Sequence, residues 1–301
     1  MQKELLHLIH ILKFNDRLKQ SRINNFLLKI LENNVKIKPH EMILKTLYGF
    51  KLKINPALDK GVERSIFNTG TYEAGTLHAF DLLLKKGDIF IDIGSNIGLM
   101  AIYASQKVGT TGHIYSFEPE PKTYKILCEN CDINNIKNIT LNNIALGAKE
   151  SKGIIYSNLD INRGAASLVR RDGTKGTEIS ISTLDNYLDS KNIRQVKLIK
   201  ADIEGYEFEM LKGASKLLHS EYAPILCIEY SNDVQSVTEV SDVYDFVTSI
   251  NKYQVYKFTE WKGSVCKLQK VQIKSDLPEH DNIFCFLPHH LRNINSSLFL
   301  N

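Results

Sequence analysis

Two periods of apolar residues divide the chain. In residues 1–33, Leu5, Leu8, Ile9, Leu12, Ile23, Phe26, Leu27, Ile30 and Leu31 recur at helical spacing among lysines and arginines, which predicts two helices broken near Asn15-Asp16. Over 41–80 the pattern shortens to pieces such as Leu52-Lys53-Ile54, between turn signals at Asn55-Pro56 and Asn68-Thr69-Gly70, as in a small β-layer or lid. Residues 72–78 lead into a helix whose last turn carries Lys85 and Lys86 and which Gly87 stops. Beyond it, compact apolar runs at 89–93, 113–117, 139–146, 196–201 and 224–230 alternate with helical patterns at 99–108, 121–134 and 208–218. That alternation predicts an α/β chain built on a doubly wound, mainly parallel sheet, which runs near 253–258 and 283–287 close. Two alternating runs, 153–156 and 178–182, interrupt the rhythm and predict an inserted β-hairpin. In this reading residues 1–60 form an N-terminal helical extension, residues 61–301 form the main domain, and the final residues fray.

Composition alters this picture little. With 43% hydrophobic and 24% charged residues, and 7 prolines and 17 glycines scattered along it, the 301-residue chain has ordinary globular composition. A net charge of +4, with acids interspersed among the bases, gives no basis for a nucleic-acid partner. Five cysteines, no signal-peptide pattern and no apolar run long enough to span a bilayer point to a reduced, cytoplasmic protein. Cys128 and Cys131 form a lone Cys-x-x-Cys within a helical pattern, which reads as two small half-buried residues rather than a zinc site. The basic amphipathic start suits peripheral membrane contact or a homodimer contact, although Glu4, Asp16 and Glu32 dilute its basic face. His7 and His10, one turn apart there, read as surface residues.

Candidate chemistry gathers at the ends of the apolar runs. The stretch Gly87 to Met100 reads as a buried strand, a glycine turn at Gly94-Ser95-Asn96-Ile97-Gly98, and a helix whose N-terminal amides can face a ligand. The turn lacks the three-glycine spacing that admits a pyrophosphate, which argues against a nicotinamide-dependent oxidoreductase. A nucleoside with an amino-acid tail, S-adenosylmethionine, fits better: Asp92 can face its ammonium and the turn amides its carboxylate. Glu118 closes the second strand, at the place where an acid grips ribose hydroxyls in nucleoside-binding α/β folds. The turn around Asn143 and Ala145 falls where an adenine would be flanked. The fourth strand delivers Asp202 and Glu204, on one side if the strand continues, and the fifth ends in Glu229. Paired carboxylates at that edge suit general-base work. Arg163, Arg170 and Arg171 in the inserted connection could hold an anionic substrate or form a solvated loop.

Taken in order, Asp-Ile-Gly-Ser-Asn-Ile-Gly at 92–98, Ser-Phe-Glu-Pro at 116–119, Ser-Thr-Leu-Asp at 182–185 and Asp-Ile-Glu-Gly-Tyr-Glu at 202–207 resemble the FkbM-type methyltransferase family. The resemblance covers roughly 70–290, with Ser95 standing where the family usually has Ala. It implies a class I, Rossmann-like S-adenosylmethionine fold that methylates hydroxyl oxygens of sugars, glycans, polyketides or related metabolites. Asp92, Gly94, Asn96 and Gly98 are then assigned to the methionine end of the cofactor, and Glu118 to its ribose. Asp202 and Glu204 stand nearest the methyl group, with Glu229 and His78 as further candidates for base or acceptor contact. The same acids leave room for a divalent metal, which is not expected. A non-catalytic interaction protein on a decayed methyltransferase scaffold is the remaining rival, and the intact acids at the strand ends speak against it.

Overall fold

A computed structural model describes residues 41–158, 162–168, 175–231 and 243–300. The expected helices of 1–33, and Arg170 and Arg171, lie outside these residues, as does the side chain of Arg163. Two compact units emerge, residues 1–72 with 159–164 and residues 73–158 with 165–301. In the first, strands β1 (Met42–Lys45) and β2 (Lys51–Ile54) pair antiparallel and precede helix α1 (Val62–Thr69). Leu44, Leu52, Ile54 and Ile66 are buried there, and Asp59 Oδ1 accepts from the Gly61 and Glu63 amides at the start of α1 (both 3.0 Å). The short strand-like pieces expected of this stretch are thus a single hairpin.

The second unit carries, in chain order, α2 (Ala74–Leu83), β3 (Ile89–Ile93), α3 (Leu99–Val108), β4 (His113–Phe117), α4 (Pro121–Ile133), β5 (Ile139–Asn142) and β6 (Ala145–Leu146). The insertion follows as β7 (Ser151–Asn158), β8 (Asn162–Ser167) and β9 (Lys175–Ser182). After it come α5 (Leu184–Ser190), β10 (Leu198–Ala201), α6 (Glu207–Lys212), α7 (Ser215–His219), β11 (Ile225–Ser231), α8 (Val243–Ile250), β12 (Gln254–Phe258), β13 (Leu268–Lys270), β14 (His280–Phe286) and α9 (Pro288–Leu291).

The main sheet runs β13-β12-β14-β11-β10-β3-β4-β5. Strands β3, β4, β5, β10 and β11 are parallel, while β14 lies antiparallel between β11 and β12. Edge strand β13 is antiparallel to β12 as well, so two strands, β13 and β14, run against the rest of an otherwise parallel, Rossmann-like sheet. The chain moves outward from β3 to β5 and then returns to β10, so the order reverses between β3 and β10, the switch point where such sheets bind ligands. Continuous burial of Phe90, Ile91, Ile93, Leu198, Ile199, Leu226 and Ile228 explains the uninterrupted apolar runs, since helices cover both faces.

Local capping fixes the connections. Pro121 opens α4 while the Glu120 side chain accepts the Thr123 amide (2.7 Å), and Thr183 does the same for Asn186 at α5 (3.1 Å). Asp185, two residues further, accepts the Lys216 and Leu217 amides (2.8 and 3.0 Å) and ties the start of α7 to α5, which gives the 182–185 motif its structural reason.

Several sequence-based boundaries shift. The run at 139–146 is two strands, because the chain leaves the main sheet after Asn142 and Ala145 pairs with Ile181 in the smaller one. The inserted hairpin is the antiparallel pair β7 and β9, within a sheet ordered β6-β9-β7-β8. The helix over 208–218 breaks in two at Gly213, where a Cβ would stand 2.0 Å from the Gly147 carbonyl oxygen. The final residues are not frayed: Leu298 is buried, the Phe299 ring packs on Tyr256 and Phe286, and the Leu300 amide donates to the Leu268 carbonyl (2.8 Å).

Candidate functional site

At the carboxyl edge of the sheet, the ends of β3 and β4 form one half of the site. Gly94 adopts φ +81°, and a Cβ there would come 1.9 Å from the Asp202 carbonyl oxygen, so only glycine lets the turn close on the neighbouring strand. Gly98 adopts φ +95° and leaves room for Leu127 of α4, which would lie 2.6 Å from a Cβ. Both glycines therefore serve packing within the protein as well as the turn. Asn96 is left-handed at φ +49°, and its amide donates to Glu118 Oε2 (2.9 Å), while the Glu120 amide donates to Oε1 (2.9 Å). Asn143 donates to the Glu118 and Pro119 carbonyls (2.8 and 3.1 Å), clamping the turn that carries Glu118. Ala145 lies in the apolar cluster of Ile155, Ile179 and Ile181, so its side chain belongs to the smaller sheet rather than to this edge.

These residues fit a nucleoside with an amino-acid tail. Neither carboxylate oxygen of the buried Asp92 has a hydrogen-bond partner among the described residues, the Ser95 hydroxyl donating instead to the Asp92 main-chain carbonyl (2.9 Å). Asn96 Oδ1 is likewise a buried acceptor without one. An ammonium group answers such acceptors. Burial pushes the Asp92 carboxyl up to about 6 against the pull of Lys200, and pushes Glu118 up to about 7 against its two amide donors. Each Glu118 oxygen keeps a lone pair beyond those amides, which suits two ribose hydroxyls.

The other half stands on β10, β11 and β14. Lys200, buried at the register position between Asp92 and Cys227, extends to Asp202 Oδ2 (2.8 Å). Glu229 hydrogen-bonds Asp202 and forms an ion pair with Lys262 Nζ (2.8 Å), which reaches Glu73 Oε1 at the same distance. Asn282 donates to Glu73 Oε2 (2.8 Å) and to the Thr76 hydroxyl (2.9 Å), while Asp281 accepts the Lys262 amide (3.2 Å). The Gly75 amide donates to the Lys262 carbonyl (2.8 Å). Lys200 and Lys262 hold the Asp202 carboxyl well below the ordinary range, whereas burial and the Asp202 charge raise Glu229 well above it. Of the two, Asp202 is therefore the carboxyl whose ionised form its neighbours favour. Burial alone would lower Lys200, but the attraction of Asp202, Glu73 and Asp92 outweighs it and raises the ammonium.

The acids expected from the sequence therefore separate. Asp202 and Glu229 meet across adjacent strands. The alternation that would put Asp202 and Glu204 on one face ends at Ala201, because Glu204 and Gly205 take φ +54° and +100° in a turn. Glu207 holds that turn, accepting the Ile203 and Gly205 amides (2.9 and 3.4 Å), with its carboxyl pushed up to about 7 by burial. His78 stands half-buried on α2, one turn after Glu73 and Ala74. Sequence reasoning passed over Glu73, Lys200, Lys262 and Asn282. Only Lys200 left a signal, a charge in the middle of a buried strand. Among the described residues no group of three or more His, Cys, Asp or Glu is arranged for a metal ion, and no helix is long and apolar enough to cross a membrane. Burial pushes the Cys131 thiol up to about 12.

Comparison with known proteins adds the following. The family described as the methyltransferase FkbM domain matches residues 92–261. The hexuronic acid methyltransferase AglP of Haloferax volcanii is 31% identical over 170 residues, spanning 56% of this chain and 67% of that protein. Methyltransferase 1 of Beauveria bassiana is 23% identical over 188 residues, spanning 54% and 72%. Among solved structures, TYW2 of M. jannaschii in complex with AdoMet aligns with TM-score 0.40 at 14% identity, over 82% of this chain and 85% of that one.

Proposed function

The chain belongs to the FkbM methyltransferase family, and from that premise we propose that it moves the methyl group of S-adenosylmethionine to a hydroxyl oxygen of a sugar or glycan. Family membership sets the nicotinamide oxidoreductase aside. The cofactor supplies an electrophilic methyl on a sulfonium sulfur; this chain must bind that donor, align an acceptor oxygen and receive a proton. Asp92, the 94–98 turn and Glu118 are the binding groups in this reading, and Gly94 keeps their turn against the end of β10.

The observation that carries the hydroxyl reading is the pair of a buried Glu229 and a half-buried Asp202. An alcohol is a poor nucleophile until its proton is shared with a base, and an ionised carboxylate at the switch point is such a base. Lys200 and Lys262 favour the ionised form of Asp202 while burial and the Asp202 charge disfavour that of Glu229, so Asp202 is the member taken as the base in this reading. Asp202 would take the acceptor's proton as its oxygen gains the methyl carbon and the methyl–sulfur bond breaks, the donor leaving as a neutral thioether. Lys262 and Glu73 hold Glu229 in place from outside the motif region.

The name of the Haloferax relative supports a uronic sugar as acceptor, and such a sugar offers a second oxygen nucleophile, its carboxylate. Purified protein given methyl-labelled cofactor and methyl glycosides of neutral hexoses, 6-deoxyhexoses and hexuronic acids separates the two. A base-stable label, an ether, supports the hydroxyl reading. A base-labile label, an ester, overturns it in favour of the carboxylate, and no label on any glycoside overturns the sugar reading.

A further inference from the structure

Four observations converge on one residue of the rim. Strand β12 runs parallel to β10 and β11, since β11 and β12 both oppose β14 and β10 pairs parallel with β11, so the chain leaves β12 at the edge where Asp202 and Glu229 stand. The sole tryptophan of the chain, Trp261, lies in the connection that follows, with 61% of its surface exposed. A large aromatic side chain left open is informative in a way that a scattered leucine is not. Its neighbour Lys262 is buried and fixed to Glu73, Glu229, Asp281 and the Gly75 amide, so the backbone of Trp261 is tied to the acid pair. The indole also packs against Gly263, where a Cβ would come 2.1 Å from the ring, and the Ser264 amide donates to the Trp261 carbonyl (2.9 Å). Glycine at 263 lets the ring lie against the backbone with its remaining surface open.

On the other side of the Lys262 amide–Asp281 bond stands His280, 59% exposed at its side chain, with Nε2 3.5 Å from Glu229 Oε1. An open imidazole beside Glu229 and an open indole one residue from Lys262, the partner of Glu229, thus belong to the same rim. The chemistry of that rim is an apolar π-face beside a polar group, which matches a pyranose ring: one face of C–H bonds, with hydroxyls around its edge.

We propose that Trp261 is the acceptor platform, stacking the C–H face of a pyranoside while His280 meets its polar edge, so that a ring hydroxyl is directed toward Asp202. This rests on the sugar reading above and adds the residue that recognises the ring. Binding needs no methyl transfer, so it can be read separately.

Because the chain has one tryptophan, its emission under selective excitation reports this position alone. With S-adenosylhomocysteine bound, a methyl glycoside that the enzyme methylates is expected to shift or quench that emission saturably. Trp261→Ala is expected to raise the KM for that glycoside roughly tenfold, the scale of a lost aromatic contact, with S-adenosylhomocysteine affinity and melting curve unchanged. Trp261→Phe should recover part of the loss. A glycoside that the wild-type protein methylates, yet that leaves the emission flat and the Trp261→Ala KM unchanged, overturns the platform alone. Bound S-adenosylhomocysteine with transfer to no pyranoside overturns the sugar reading and the platform together.

Discussion

The two halves of the site are built on opposite principles. At the cofactor edge, Asp92, Gly94, Asn96 and Gly98 lie within one strand–turn–helix, and Glu118 joins them through the amide of Asn96, 22 residues away in sequence. At the acceptor edge, Asn282 reaches Glu73 across 209 residues, and Lys262 reaches Glu229 across 33. One half is a motif and the other an assembly. A local motif suits a ligand with fixed features, whereas an assembly of distant side chains can change its acceptor while the sheet stays the same. Lys200 joins them, facing Asp92 on β3 and ion-paired to Asp202 beyond its own strand.

The sharpest break of this comparison is Asp202→Asn. If the acceptor edge handles the proton and the cofactor edge handles binding, turnover on a hydroxyl acceptor falls by about 10²-fold to 10⁴-fold while S-adenosylhomocysteine affinity moves less than about threefold. Glu204→Gln, in the turn, should cost less than about tenfold in turnover. Parallel loss of binding and rate in Asp202→Asn would show that the two edges act as one.

Next in size is the assembly itself. Lys262→Met leaves the buried Glu73 and Glu229 without their shared cation, and breaking a buried pair from one side costs about 3–5 kcal/mol. Denaturant midpoints check this. Adding Glu73→Gln to Lys262→Met should return part of the loss, because one of the stranded charges is gone; a wild-type midpoint in the single variant would mean the network contributes nothing.

This division also accounts for what the sequence disclosed. Glycines at positive φ and acids after apolar runs are local requirements, so the 92–98 turn, Glu118, Asp202 and Glu229 stood out, as did the doubly wound order and the inserted hairpin. Glu73 sits in the lead-in to a helix and Lys262 beyond the run at 253–258, neither with a local signal of chemistry, and nothing short of the folded sheet brings them together. Ala145 was misplaced because one apolar run crossed two sheets, and Glu204 because alternation was carried past the last strand residue. The reversed strand β14 could not be told from a parallel one by its apolar run, since burial on both faces erases periodicity.

At the cofactor edge a smaller effect is expected. Glu118→Ala removes the acceptor of two backbone amides as well as the proposed ribose contact, so it should weaken S-adenosylhomocysteine binding by roughly 1–3 kcal/mol and lower the midpoint of the free protein. Calorimetry and denaturation read the two losses separately. An unchanged affinity would remove Glu118 from the ribose.

The smallest difference is the one that separates the halves by pH. Asp92 and Glu118 rise on folding from 3.8 to about 6 and from 4.5 to about 7, and Glu207 shares the second window. Between about pH 4 and 7 the folded protein therefore holds more protons than the unfolded chain, so the stability these acids contribute is complete below about pH 4 and lost by about pH 7. Ligand binding runs the other way. Ribose hydroxyls and an ammonium group favour the ionised acids, and a carboxyl at about 7 is roughly one-tenth ionised at pH 6 and nine-tenths at pH 8, so S-adenosylhomocysteine affinity should climb by about tenfold over that interval. At the acceptor edge the pair faces Lys200, Lys262, Glu73, His280 and Asp281, and the two lysines hold the Asp202 carboxyl below the ordinary range, so the base assigned to the acceptor titrates below the window of Asp92 and Glu118. The cofactor dissociation constant should then slope with pH while kcat at saturating cofactor stays level, and Glu118→Gln should flatten the slope. A level affinity with a sloping kcat would reverse the assignment, placing the titrating acid at the acceptor and leaving the cofactor edge to its backbone amides.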